Sequence, residues 1–463
     1  MRPGLTALHP RTAVPGQVFP AIPGPDAAAL LAVLQQLQES QWWPPEVLRA
    51  RQAEQLGPLL RHAAQTVPGY RKLYRRADLA GDPFEVLARL PLLERPALQR
   101  GGTAWRSGRY PKAHGGLVTR TTSGSTGTPV QVLHSDVHRI LWHAITLRDE
   151  AWRGRDHGKK IALIRHFPDI LAARPPRGER RQGWGGPLDL VADTGPSVLL
   201  DLSATVREQA AFLQREAPDY LVTFPTSLHA LARHFVEQGG GPPLRGVSTV
   251  GETLTDETRA LCREAFGAAI ADVYSTVEVG YVALQCPSGE GYHVQAESVH
   301  VEVLDDAARS CAPGEIGRVV LTSLNNWATP LIRYAVGDYA EVGAPCACGR
   351  GLPVLRRVVG RARNMLVRPD GEVRWPYIES RRCLRAAPYR QMQLVQVASD
   401  AIEVRVVPAE PLTDAHRAAL TVELHRSLGW PFTLTFVEVD AIGRGQGGKF
   451  EEFVSRLEGA GAG

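Results

Sequence analysis

Residues 119–132 read TRTTSGSTGTPVQV, a run of small hydroxyl residues and glycines between an apolar segment and a β-like continuation. Glycine and small polar residues allow a loop to turn tightly and to aim backbone N–H groups and hydroxyls at phosphate oxygens. The run lacks the G-x-x-x-x-G-K-[ST] spacing and is therefore not a Walker A loop. A flexible Ser/Thr/Gly linker is the alternative, but the ordered string ending in Pro favours a phosphate loop.

The sequence around this loop predicts an α/β fold. Short runs rich in β-branched residues, such as IALIRH (161–166) and YLVTF (220–224), alternate with helix-like segments such as TVREQAAFLQREA (205–217). This alternation is typical of a parallel sheet with helices on its faces. One break in the rhythm, ARPPRGERRQGWGGP (173–187), is basic and rich in Pro and Gly, and we predict an exposed loop there.

The 463 residues exceed the length of a single core, so two domains are expected. We predict a large N-terminal domain over 1–360, with mixed or parallel sheets flanked by helices and a helical layer at 1–110. A small, mobile α+β lid is predicted over 361–463. The formal charge of +5 suits small anions better than nucleic acid. No stretch approaches the roughly 20 apolar residues of a membrane span, and we expect a cytoplasmic protein.

Several further segments follow the loop in a fixed order, and together they resemble those of the adenylate-forming superfamily, more closely its phenylacetate-CoA ligase-like branch. TTSGSTGTP resembles the superfamily's phosphate loop. The other segments are VGETL (250–254), YSTVEVG (274–280), RYAVGDYAEV (333–342), GRARNML (360–366) and GGKF (447–450).

The resemblance implies an AMP-forming acid–thiol ligase that uses ATP and magnesium to convert a small, preferably aromatic, carboxylic acid to an acyl-adenylate, then transfers the acyl group to coenzyme A. An amine or a carrier-protein thiol as acceptor stays open, as does a catalytically silent nucleotide-binding protein. The oligomeric state, including a homo-oligomer, is also open.

The resemblance also assigns residues. Lys449 and Glu278 would be catalytic, with Glu278 holding magnesium, and Asp338 would bind the ribose. Arg361 would contact the nucleotide from the hinge. The remaining ATP-binding positions would be Thr121, Thr122, Ser123, Gly124, Ser125, Thr126, Gly127, Gly251, Glu252, Tyr274, Ser275 and Thr276.

The chain departs from the family pattern at two of these segments. Ser275 follows Tyr274 where the family has Gly, and Val277 precedes Glu278 where it has Ser or Thr, so the hydroxyl for the α-phosphate is displaced to Thr276 or lost. At the hinge, Arg363 replaces the usual Asp.

Four residues offer thiolate and imidazole ligands in two short segments: Cys286 and His293 in QCPSGEGYHV, and Cys346 and Cys348 in CACG. Three thiolates and one imidazole suit tetrahedral zinc, and a site with four protein ligands would be structural. The alternative, small buried cysteines beside a core histidine, stays open. By position, an acyl pocket would be lined by Trp142, His143, Phe224, Gly280 and Tyr281, although aromatic residues at such places also serve as plain core.

Overall fold

The computed structural model describes residues 9–122, 129–167, 169–289, 291–361, 365–374, 376, 378, 380–443 and 450–457. Contacts between Cα atoms divide the chain into two compact units. Unit 1 comprises residues 1–336 and 340–358, and unit 2 comprises residues 337–339 and 359–463. The mobility expected of the C-terminal domain stays a prediction.

Unit 1 begins with a layer of helices: α1 (Pro25–Ser40), α2 (Pro45–Thr66), α3 (Pro68–Leu73), α4 (Pro83–Arg89) and α5 (Arg95–Gly101). Each of the first four starts at a proline, whose fixed φ suits the first turn and whose missing N–H would have no partner there. Along α1 the residues Leu30, Leu34 and Leu37 are buried, which is the spacing of one helix face. A two-residue strand, β1 (Leu93–Glu94), precedes α5.

The main sheet contains 13 strands of the described chain in the order β12-β13-β14-β15-β11-β10-β9-β8-β7-β4-β6-β5, with β1 paired to β14. The hairpin of β2 (Leu117–Thr121) and β3 (Gln131–Ser135) forms a separate two-stranded sheet. The strands of the main sheet are β4 (Ile161–Arg165), β5 (Glu179–Arg181), β6 (Ser197–Asp201), β7 (Tyr220–Thr223), β8 (Gly246–Val250), β9 (Ile270–Thr276), β10 (Gly280–Gln285), β11 (Tyr292–Val294), β12 (Val299–Leu304), β13 (Ile316–Ser323), β14 (Tyr334–Val342) and β15 (Val354–Arg361).

Helices cover both faces of the parallel part of this sheet, which runs β6-β4-β7-β8-β9. Along β4, Ala162 and Ile164 pack in one core and Ile161 in another, because successive side chains of a strand point to opposite faces. The first core includes residues of α8 (Val206–Glu216), α9 (Pro225–Glu237) and α10 (Asp256–Phe266), and the second includes residues of α1, α6 (Asp136–Arg153) and α7 (Gly186–Val191).

The prediction of an exposed loop over 173–187 is wrong in part. Residues 179–181 form β5, which pairs antiparallel with β6 at the sheet edge. Trp184 is buried and its Nε1 donates to the carbonyl oxygen of Lys159 at 2.7 Å. Proline and glycine predict breaks in the chain, but they do not reveal that an intervening tryptophan has a core to enter.

Unit 2 contains a four-stranded sheet, in the order β20-β19-β18-β21, whose core includes Leu394, Val404, Leu420 and Leu424. The predicted fold class, a large α/β domain with a small α+β domain, is confirmed. Its elements are β16 (Leu366–Val367), β17 (Val373–Arg374), α11 (Ser380–Ala386), β18 (Tyr389–Ala398), β19 (Ala401–Pro408), α12 (Asp414–Leu428), β20 (Thr433–Glu438) and β21 (Phe453–Ser455).

Among the described residues, no helix combines the length and the hydrophobicity needed to cross a bilayer.

Candidate active site and metal centre

The base of the phosphate-loop segment is closed by the β2–β3 hairpin. Beyond the last ladder pair, Thr121 with Gln131, the Thr122 N–H donates to the Val130 carbonyl at 2.9 Å. The Val130 N–H donates back to Thr122 Oγ1 at 2.9 Å. These bonds hold the two ends of the segment together. The predicted phosphate ligands Ser123, Gly124, Ser125, Thr126 and Gly127 lie outside the described residues.

Glu278 is buried in the turn between β9 and β10, where Thr276 Oγ1 accepts a hydrogen bond from the Val279 N–H at 3.0 Å. Its Oε1 lies 2.5 Å from Arg95 Nη1 and accepts a hydrogen bond from the Tyr334 hydroxyl at 3.1 Å. Burial, and next the charge of Glu278, raise the pKa of Tyr334, so this hydroxyl stays protonated and donates. Within the described chain, Glu278 Oε2 accepts no hydrogen bond, so one carboxylate oxygen is free for a ligand.

Arg95 links this carboxylate to the phosphate-loop hairpin. Its Nη1 also donates to the Tyr334 hydroxyl at 3.0 Å, and its Nη2 lies 3.4 Å from Thr122 Oγ1. Neither Arg95 nor Tyr334 was predicted from the sequence as a site residue. Arg95 follows a two-residue strand 183 positions before Glu278, and no motif signals that contact.

The predicted nucleotide-binding turn follows β8, and the predicted Tyr motif ends β9. Gly251 has φ +85°, a conformation that glycine adopts readily. Glu252 accepts from the Thr226 N–H at 2.9 Å and the Thr226 hydroxyl at 2.7 Å, and it therefore caps the first turn of α9. Tyr274 is buried near the end of β9. Because β8 and β9 are adjacent and parallel, both motifs lie at the carboxyl edge of the sheet, where α/β folds bind ligands.

The structure brings together three of the predicted acyl-pocket residues. The rings of Trp142 and Tyr281 meet edge to face with centroids 5.7 Å apart. Gly280 has φ +96°, and a Cβ built on it would lie 3.2 Å from the Trp142 ring. Phe224, in contrast, packs in the core with α8–α10, and His143 is half-buried.

Two histidines that were not predicted also border Gly280 and Glu278. His134 Nε2 lies 3.3 Å from the Glu278 backbone oxygen, and the ring centroids of His134 and His138 are 4.1 Å apart. Burial lowers the pKa of His138 to about 3, so the ring is neutral. Neither ring nitrogen of His138 has a hydrogen-bond partner in the described chain.

Asp338 and Arg361 lie together within unit 2, where Arg361 Nε is 3.4 Å from Asp338 Oδ1. Asp338 is buried near the middle of β14, and Arg361 is the last residue of β15. Both residues were predicted, from separate motifs, to contact one nucleotide, and that role stays a prediction. The predicted catalytic Lys449 and the altered hinge position Arg363 lie outside the described residues.

The four predicted zinc ligands form one cluster in unit 1, with the ligand atoms of Cys286, His293, Cys346 and Cys348 all within 4.8 Å of one another. Cys286 Sγ lies 3.7 Å from Cys346 Sγ, and Cys348 Sγ lies 3.3 Å from His293 Nε2. Burial lowers the pKa of His293 to about 4, which leaves the imidazole neutral, the form that binds metal. The donor set and spacing fit a tetrahedral zinc ion.

No family model matches the chain. The chain is 25% identical over 341 residues to the phenylacetate-coenzyme A ligase of Thermus thermophilus, with 70% of this chain and 72% of that protein covered. It is 24% identical over 333 residues to the phenylacetate-coenzyme A ligase of Pseudomonas putida, with the same shares covered.

Solved structures share the fold at lower sequence identity. A 2-hydroxyisobutyryl-CoA ligase in the postadenylation state, in complex with an acyl-AMP, matches with a TM-score of 0.68 at 19% identity over 90% of this chain and 91% of that one. An anthranilate CoA ligase in complex with anthranoyl-AMP matches with a TM-score of 0.51 at 16% identity over 72% and 65% of the two chains. The chain is therefore similar in sequence to phenylacetate-coenzyme A ligases, and it shares its fold with solved CoA ligases that are in complex with an acyl-AMP.

Proposed function

We propose that the protein activates a small aromatic carboxylic acid with ATP and transfers the acyl group to coenzyme A. The observation that carries the proposal is the buried carboxylate of Glu278, held by Arg95 and Tyr334 beside the base of the phosphate-loop hairpin. Such a preorganised set of charges is what a reaction between two anions requires.

In the first step, an oxygen of the substrate carboxylate attacks the α-phosphorus of ATP, and the bond to the β-phosphate oxygen breaks to release pyrophosphate. Glu278 would hold magnesium, which screens the phosphate charge when bound. Glu278 fits this role because Arg95 and Tyr334 hold one of its oxygens and the other accepts no hydrogen bond from the described residues. Lys449 would stabilise the charge that develops between the carboxylate and the α-phosphate.

In the second step, the thiolate of coenzyme A attacks the acyl carbonyl and AMP leaves. Coenzyme A is supported as the acceptor by the named activity of the relatives in Thermus and Pseudomonas. An aromatic acid is supported by the contact of Trp142 with Tyr281 beside Gly280, since aromatic rings pack favourably edge to face.

We also propose that Cys286, His293, Cys346 and Cys348 hold a structural zinc ion. The ion would join the β10–β11 hairpin to the 346–349 loop, two segments that are remote in sequence. With four protein ligands, no coordination position would be left for a substrate.

The test of function is pyrophosphate release with ATP, magnesium and a panel of aryl and aliphatic acids, followed by mass spectrometry of products formed with coenzyme A. We expect release with aryl acids and an acyl-CoA product. Glu278→Gln should lower the release at least about 100-fold, the scale of one lost preorganised charge interaction. Glu302→Gln is the matched control, because Glu302 is also paired with an arginine, Arg333, at 2.9 Å. No release with any acid would refute the proposal.

A further inference from the structure

The family motifs do not explain why Glu278, the carboxylate expected to hold magnesium, is paired with a cation of the protein itself, Arg95. A carboxylate beside the phosphate site repels ATP unless a cation screens it, and magnesium is the expected cation. Here a cation from the protein itself already contacts that carboxylate, at 2.5 Å.

We propose that Arg95 is a resident counter-cation of the nucleotide site, which neutralises Glu278 so that the triphosphate binds there even before a metal ion is present. The inference rests on the proposed function, because it takes ATP as the ligand. It makes Arg95 a further positioning residue for adenylation, contributed by the N-terminal helical layer.

The geometry of the guanidinium supports this role. Nη1 is shared between Glu278 and Tyr334, whereas among the described residues the hydrogen bond of Nη2 is the long one, 3.4 Å, to Thr122 at the mouth of the phosphate-loop segment. Arginine carries five N–H donors in a rigid plane, so it can hold a carboxylate and still offer a donor to a phosphate oxygen.

The backbone fixes Arg95 in this position. Strand β1 pairs in parallel with β14, so that Leu93 is opposite Tyr334, and Arg95 follows two residues later as the first residue of α5. The side chains of Arg95 and Glu278 are only 15% and 5% exposed, so water screens their interaction weakly.

Counting formal charges predicts the order in which the wild type and the variants bind metal-free ATP. An arginine with a purely structural role would not produce this order. The Arg95–Glu278 pair is neutral, Arg95→Met leaves −1, Glu278→Gln leaves +1, and the double variant is again neutral. Metal-free ATP should therefore bind most tightly to Glu278→Gln, about equally to the wild type and the double variant, and most weakly to Arg95→Met. A structural arginine would instead make every variant bind more weakly.

The experiment measures the Kd of ATP by calorimetry in buffer passed over a chelating resin, and again with added magnesium. We expect Arg95→Met to weaken metal-free ATP binding about tenfold or more, the scale of one unit charge near a partly buried site. Added magnesium should recover most of this loss, because it supplies the missing positive charge. Arg95→Lys, which keeps the charge, should stay near the wild type.

The matched control is Arg155→Met, which removes another arginine whose side chain is only 6% exposed and is paired with Glu150 at 2.9 Å, and it should leave ATP affinity unchanged. If Arg95→Met does not fold, Glu278→Gln alone decides, since the proposal requires it to bind metal-free ATP more tightly than the wild type. Weaker binding by Glu278→Gln, or wild-type binding by Arg95→Met, overturns the inference while pyrophosphate release by the wild type still supports the proposed function. A wild type that binds no ATP overturns both.

Discussion

Replacing two of the four proposed zinc ligands should release the metal and loosen the segment around residues 346–351. The variant is Cys346→Ser with Cys348→Ser, which leaves Cys286 and His293 on the β10–β11 hairpin. Without zinc, the segment is still attached to the helical layer by the hydrogen bond, among others, from the Gly351 N–H to the Gln41 carbonyl at 2.9 Å.

The expected loss of zinc affinity and the fall in Tm can be estimated from the number of ligands. Structural zinc sites in small domains bind with about 10–16 kcal/mol at neutral pH, or roughly 2.5–4 kcal/mol for each of the four ligands. Each lost ligand then costs a factor of about 10²–10³ in Kd. A ligand present at 1,000 times its Kd stabilises the folded state by about 4 kcal/mol. In a domain of this size that corresponds to a fall in Tm of roughly 4–8 °C when the ligand is lost.

The assay combines metal analysis by mass spectrometry with thermal melting, on protein purified without chelators. The wild type should carry about one zinc per chain, and the double variant none. Cys311→Ser is the control, because Cys311 lies outside the four-ligand cluster and should leave both zinc content and Tm unchanged. Wild-type protein free of zinc would refute the site, as would a double variant that retains the metal.

Three further predictions concern the reaction. Lys449→Ala should lower pyrophosphate release by a factor on the order of 10²–10³, but it should convert a chemically made acyl-adenylate to acyl-CoA at near the wild-type rate. Arg361→Ala should slow both steps. Unchanged pyrophosphate release by Lys449→Ala would show that the catalytic lysine lies elsewhere. Asp338→Ala should weaken ATP binding by about 1.5–3 kcal/mol, the value of a charged hydrogen bond, with Tm as the check on folding; unchanged affinity would remove Asp338 from the ribose site. Trp142→Ala should raise KM for the aryl acid and leave KM for ATP unchanged in steady-state kinetics; a rise in both would argue for a general packing role.

The sequence predicts the fold class well because β-branched runs and helix-period runs alternate from 161 to 276, and each of the parallel strands β4, β6, β7, β8 and β9 contains apolar residues. The sequence-based prediction fails where it rests on amino-acid composition and not on a periodic pattern. Residues 173–187 are basic and rich in Pro and Gly, yet the segment supplies an edge strand and the buried Trp184. An edge strand of three residues is too short for periodicity to detect.

The prediction of site residues also succeeds where the residue pattern is specific and fails where it is not. Cys286 and His293 could be linked to Cys346 and Cys348 because few residue types bind zinc and the four stand in two close pairs. The acyl pocket was harder, since aromatic residues are common in cores: Trp142 and Tyr281 meet, but Phe224 packs elsewhere. His138 escaped prediction because a single histidine on a helix carries no pattern.

Arg95 could not be found from sequence for a physical reason that also bears on how the site is built. Its position depends on the parallel pairing of the two-residue strand β1 with β14, a contact that joins residues some 240 positions apart. The same pairing sets the distance between the arginine and the Tyr334 hydroxyl, so the helical layer and the central sheet must both be in place before Glu278 is neutralised. A displacement of β1 would separate the Arg95 cation from the Glu278 carboxylate and leave a buried negative charge at the proposed nucleotide site. We infer that the N-terminal layer acts as part of the nucleotide site as well as a cover for the sheet, and that substitutions destabilising α4 or β1 should weaken metal-free ATP binding in the same manner as Arg95→Met.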